Sequence, residues 1–273
     1  MNAALRTEYR KLVTTRLWWI LLLSMAAYMA FLAGVLAFAL TQDPGSVTGG
    51  VPSSNPSAPM SPEAVARTIY TLATSLGYVF PVIVGALAMT SEFRHQTITP
   101  TLLAEPRRTM FLAAKMLSSV VVGLLFGVVG TVATVGTGAG VLALMGEPTY
   151  LSDPIVVRSA WLSVLALTVW TVVGVGFGTL LTNQVAVIVV VLAFTQFVEP
   201  ILRIAGGQFA WSEGISKFLP GAAGEAITGS SFYADSGMAA GLLTSWQGLA
   251  VLLAYAVLFA GLGRATTLRR DIT

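Results

Sequence analysis

One histidine, His95, and no cysteine narrow the chemistry open to this 273-residue chain. Multi-histidine metal sites, HExxH arrangements, thiolate ligands and cysteine nucleophiles all need residues that are absent. A Walker A loop places Gly directly before Lys so that backbone N–H groups and the ammonium cradle phosphates. The three lysines, Lys11, Lys115 and Lys217, instead follow Arg, Ala and Ser. The chain is therefore expected to bind no cofactor of its own, to hydrolyse no ATP by a P-loop, and not to act as an enzyme. Gly174-Val175-Gly176-Phe177-Gly178 resembles a nucleotide loop only superficially. It lies inside an uncharged run, where small residues let helices approach closely. Gly123, Gly127 and Gly130 are read in the same way.

Two polar constellations are left. Glu199, followed by Pro200, precedes Arg203 by four residues, the spacing of a helix ion pair. Glu199 and Arg203 read either as an ion pair at a helix end or as a polar element of an outer gate. The second constellation, Ser91 to Thr109, is a compact polar segment flanked by apolar runs. Ser91-Glu92 can start a short helix, with the acid favoured at its N-terminus. Phe93, exposed to water, would suit a partner's pocket. Pro100 and Pro106 limit helix length, and Arg107-Arg108 would lie near anionic headgroups.

The elements that position these groups follow from composition. Apolar residues make up 55% and charged residues 10%, against about 25% charged in an ordinary soluble domain, so the chain cannot cover itself for water. An all-α integral membrane protein follows. About 20 apolar residues cross the hydrocarbon core. Uncharged runs give six expected spans, at 17–40, 68–90, 116–145, 161–181, 185–204 and 244–263. The fourth and fifth come from one run of 40 residues, folded back at Thr182-Asn183-Gln184. The 116–145 run is long enough to tilt, to project beyond the lipid, or to bend near Gly136 to Gly140. Ala37-Phe38-Ala39 resembles a signal cleavage site, but an apolar run of 24 residues exceeds the usual 7–15 and reads as a retained span.

Six spans put both termini on one side, together with eleven of the fifteen Lys and Arg residues. That side is the cytoplasm by the positive-inside bias. The basic balance is thus a topology signal and implies no nucleic-acid partner. Within 1–16, Leu5, Tyr9, Leu12 and Val13 form an apolar face with Arg6, Arg10 and Lys11 off it, an interfacial helix touching membrane lipids. The external segment 41–67 carries five prolines and reads as an extended linker. In the external segment 205–243, Trp211, Ile215, Phe218 and Leu219, and then a helix starting after Pro220, read as two short re-entrant helices. The dominance of Arg over Lys, with abundant Ala, Gly and Val, fits a GC-rich bacterial genome and hence a multi-pass protein of the bacterial plasma membrane.

The pattern Ser91-Glu92-Phe93-Arg94-x-x-Thr97, then Leu102-Leu103-x-x-Pro106-Arg107-Arg108, then Phe111 and Lys115, resembles the ABC-2 type permease family. These are the membrane subunits of ATP-binding cassette exporters. The six-span layout, the amphipathic N-terminus and the paired external helices resemble that family as well. The resemblance implies a single permease domain over residues 1–273 whose loop 91–109 docks on a P-loop ATPase. Glu92, Phe93, Arg94 and Thr97 would form the coupling helix, flanked by Arg107 and Arg108. It implies a homodimer or a pair with a related permease chain, ATP and Mg on the partner ATPase, and export of a lipophilic or amphipathic substrate. The long proline-rich loop 41–67 is less typical of the family. An ion-coupled or passive transporter and a membrane-embedded scaffold or enzyme are the rival classes. The first needs an ionisable group at membrane depth, the second a nucleophile with its base.

Overall fold

A computed structural model describes residues 17–42, 61–104, 107–208, 214–235 and 241–267. The expected interfacial helix 1–16, residues 43–60 of the proline-rich segment, Pro106 and Trp211 lie outside the described residues. Secondary structure among the described residues is entirely helical. Helix α1 spans Leu17–Gln42. Helices α2 (Pro62–Tyr70), α3 (Leu72–Ser75) and α4 (Val79–Arg94) follow in close succession. Next come α5 (Ile98–Ala104), α6 (Arg108–Leu144) and α7 (Pro154–Leu180). Helix α8 (Gln184–Ala193) passes through a π-helical segment, Phe194–Val198, into α9 (Glu199–Gln208). Short helices α10 (Pro220–Thr228) and α11 (Phe232–Asp235) precede α12 (Ser245–Thr266).

Five of these runs are long and apolar enough to cross a membrane: α1, α6, α7, Gln184–Gly206 and α12. Their starts and stops have local causes. Asp153 caps α7, its carboxylate accepting from Ile155 N at 2.8 Å and Val156 N at 3.2 Å, and Pro154 follows at the first helical position. Helix α7 thus begins seven residues before the expected 161. Asn183 caps α8 through Val185 N and Ala186 N, which makes the expected tight turn at 182–184. Helix α6 runs unbroken for 37 residues, through the glycines that offered a bend as one alternative to a tilted or projecting helix. Gly138 instead lets the α2 side chains Ile69 and Tyr70 approach.

The stretch expected as span 68–90 is not one helix. It breaks at Thr71 and again at 76–78. The second break follows from Pro81, whose ring would clash with the carbonyl four residues back, at Gly77, if the helix continued. Pro81 falls in the first turn of α4, where its missing N–H costs nothing. Irregular backbone in an apolar bundle is tolerated only where protein covers it. Here nearly every residue from Ala66 to Val79 is buried.

Helix α7 is the central element, packed against α4, α6, α10 and α12. Its glycines act as expected. A Cβ on Gly178 would lie 2.6 Å from the Ala86 carbonyl, and one on Gly176 2.8 Å from the Ala256 carbonyl. On α6, a Cβ on Gly127 would lie 2.7 Å from the Val164 carbonyl. Helix α1 buries one stripe, Met25, Met29, Ala33, Ala37 and Leu40, mainly against α6. Its other faces expose Leu23, Phe31 and Phe38, as a lipid-covered helix would.

Candidate functional site

Two polar constructions occur in this apolar bundle. The first closes α4. Glu92 lies in the last turn of that helix and is 2% exposed, not on the surface. Its Oε1 is 2.5 Å from Lys115 Nζ, itself 2% exposed on α6. Its Oε2 accepts from Thr97 Oγ1, and its carbonyl accepts from Thr97 N at 2.9 Å. Lys115 also sits over the Phe111 ring, 5.4 Å from its centroid. A buried carboxylate must be paired and hydrogen-bonded, and these groups supply that.

Glu92, Phe93 and Arg94 therefore end α4 instead of forming a separate helix. The separate short helix is α5, which Thr97 precedes and Pro100 enters in its first turn. Phe93 is half-buried, not exposed, because it packs with Leu102 on Met89, Ile98 and Phe111. Arg94 is exposed and donates to Gln184 Oε1 at 2.8 Å, tying the loop to the α7–α8 turn. Gln96 takes φ 54°, which turns the chain into α5. His95, Arg107 and Thr109 are exposed and Arg108 is half-buried. Leu103 stands 78% exposed on α5. Neither the exposure of Leu103 nor the burial of Lys115 is signalled by the local sequence.

The second construction surrounds α10. Eight consecutive residues of this helix, Gly221 to Thr228, are buried. Leu219, at its N-cap position, offers no side-chain cap. Glu199, 1% exposed at the start of α9, supplies one from another helix. Glu199 Oε1 accepts from Gly221 N and from Ala222 N, the latter at 3.3 Å. Its Oε2 accepts from Tyr78 OH at 3.2 Å. A Cβ on Gly221 would collide with that carboxylate, so glycine is required there by close approach.

The far end of α10 meets Arg67 of α2. Its Nη2 donates to Gly229 O at 2.6 Å and Thr228 O at 3.4 Å, and its Nε donates to Ser159 Oγ at 3.0 Å. Ser159 Oγ donates to Thr228 O at 3.0 Å. Gly229, at φ 70°, closes the helix in the left-handed conformation. Carboxylate at the N-terminus and guanidinium at the C-terminus both match the helix dipole.

Between these ends, Arg203 of α9 pairs with Glu225 of α10, at 4% and 0% exposure. Arg203 Nη2 also donates to Ser231 Oγ at 3.1 Å, and its guanidinium lies 4.5 Å from the Tyr233 ring centroid. Burial, reinforced by the Glu225 carboxylate, pushes the Tyr233 phenol up to about 12, so a neutral ring faces the cation at physiological pH. Glu225 Oε1 has no hydrogen-bond partner among the described residues.

The expected Glu199–Arg203 pair thus does not form. The free N–H groups of α10 take Glu199, and a fully buried carboxylate takes Arg203. Arg203 and Glu225 pair directly, while Glu199 and Arg67 hydrogen-bond backbone groups at the two ends of α10, the partnering that burial of charge requires. Glu225 and Arg67 carry no local sequence signal of this role, since their partners lie 22 and 162 positions away along the chain. No cluster of three potential metal ligands occurs among the described residues. Searches against protein-family models and curated proteins return no match.

Proposed function

We propose that this chain is the permease subunit of an ABC-2 type exporter, driven by ATP hydrolysed on a separate P-loop ATPase. In this reading α2 to α4 together form the second of six spans, both termini are cytoplasmic, and the membrane is the bacterial plasma membrane. Two permease chains, identical or related, pair above two ATPase subunits that carry ATP and Mg. The cargo is lipophilic or amphipathic.

The observation that carries the reading is how the loop after α4 is built. Glu92–Lys115 ties it to α6, and Arg94–Gln184 ties it to the α7–α8 turn. A force applied at α5 is therefore passed to three membrane helices and not absorbed by a slack loop. Leu103 projects from α5 as an anchor for the ATPase surface. Glu92 and Thr97 act by holding the loop in shape, while Arg94, Arg107 and Leu103 supply docking contacts. The polar group around α10 then serves as the outer gate, with Glu199 and Arg203 inside it.

Purification of the tagged chain from its native membrane, with mass spectrometry of what accompanies it, tests this. A P-loop ATPase at stoichiometric yield is expected. The ion-coupled transporter is the second reading, and the buried Glu225, with one oxygen unpartnered, favours it. It requires cargo movement in vesicles that follows a proton or sodium gradient with no ATPase present.

A further inference from the structure

Helix α8 packs on α4, and α12 packs on α7 and α10. Between them lies a cavity of about 270 Å³. Trp170, Val173 and Phe177 of α7, Val191 of α8, Phe194 of the π-helical segment and Phe259 of α12 form most of its wall. The polar side chains at its edge are already engaged or turned away. Thr195 Oγ1 donates to Val191 O at 2.8 Å, and Tyr255 OH donates to Phe218 O at 3.1 Å. The Trp170 Nε1 faces α10, where a Cβ on Gly224 would lie 2.6 Å from it. A buried water needs two to four polar partners, and this cavity offers none, so an apolar occupant is the one it suits.

The source of that occupant follows from the rim. Val190 lines the cavity and is 43% exposed. It continues into exposed Val189 and Leu192 on α8, while Leu253 and Val257 are exposed on α12. The mouth thus opens on the apolar outer surface of two helices that are long and apolar enough to cross a membrane. A solute arriving through water would meet no entrance of its own polarity there.

We propose that this cavity is a lateral binding site for a hydrocarbon chain, the acyl chain of a membrane lipid or lipid-like molecule entering sideways from the bilayer. Leu219 and Pro220 also line it, directly before the N-terminus that Glu199 holds. On another wall Trp170 stacks on Tyr78 at 4.4 Å between centroids, and Tyr78 donates to Glu199. A bound chain therefore touches Pro220 and Trp170, the neighbours of the two groups that hold Glu199, Gly221 and Tyr78. The site stands whether or not the chain works with an ATPase, and its test uses none.

The full chain is placed in nanodiscs of phosphatidylcholine whose acyl chains carry bromine, a contact quencher of indole. One variant keeps Trp170 and replaces Trp18, Trp19, Trp161, Trp211 and Trp246 by Phe. A second keeps only Trp161, which is 69% exposed. Loss of Trp170 emission in brominated relative to unbrominated lipid, reversed by Val191→Phe, is expected. Quenching of Trp161 with Trp170 untouched overturns the proposal, as does Trp170 quenching that Val191→Phe leaves unchanged. The wild-type chain gives a second reading should the variants fail to fold. Phosphatidylcholine with a diazirine in its acyl chain should leave adducts on buried Trp170 or Val173. Adducts confined to exposed residues such as Val189 and Val257 contradict the site.

Discussion

Glu92 and Lys115 stand 23 positions apart in the chain and meet at 2.5 Å, each almost sealed from solvent. Two buried charges in contact give little net stability, but removing one leaves the other uncompensated at a cost of about 3–5 kcal/mol. Lys115→Met alone should therefore lower the thermal unfolding temperature of the detergent-purified chain, and Glu92→Gln with Lys115→Met should recover much of the loss. A double variant no more stable than Lys115→Met would show that the pair is not the link. The sequence displayed both residues but not their pairing, because hydropathy gives no measure of which charge turns inward. Phe93 carries the same lesson. Its aromatic side chain in a polar segment reads as exposed, yet Met89, Ile98 and Phe111 form a small satellite core that half-buries it.

At the scale of elements, four uncharged runs and their turn were legible because lipid demands long apolar helices. Helices α1, α6, α7 and α12 cover the expected spans at 17–40, 116–145, 161–181 and 244–263, and α8 with α9 covers 185–204. The broken second stretch was hidden because hydropathy carries no information on backbone dihedrals. Gly77 with Pro81 was its only local sign. Helix α10 was visible as a helix start after Pro220, but not as a helix held at both ends. Its partners lie 22 positions away at Glu199 and 162 away for the Arg67–Gly229 contact, beyond any local pattern. Gly221→Ala drives a methyl into the Glu199 carboxylate, and overpacking of this kind costs about 1–3 kcal/mol. Hydrogen exchange should then accelerate across 222–228. Gly214→Ala, with open space around it, should leave that segment unchanged. Equal exchange in both variants would show that Glu199 does not hold the start of α10.

For the whole molecule, the two polar constructions meet opposite ends of α4. Helix α4 carries Glu92 at its end, while Tyr78, just before its start, reaches Glu199. Helix α7 packs on both α4 and α10 and so touches the elements that carry both groups. In the proposed exporter this path joins ATP hydrolysis on one side to opening on the other. The chain contains no cysteine, so a single introduced thiol reports one place without background. The most direct measurement places a photoactivatable crosslinker on Leu103→Cys and illuminates native membranes. The expected result is a covalent adduct to a P-loop ATPase whose yield changes when ATP is added. Reaction of the same thiol with a membrane-impermeant maleimide from the outside of intact cells, with no ATPase adduct, would contradict it.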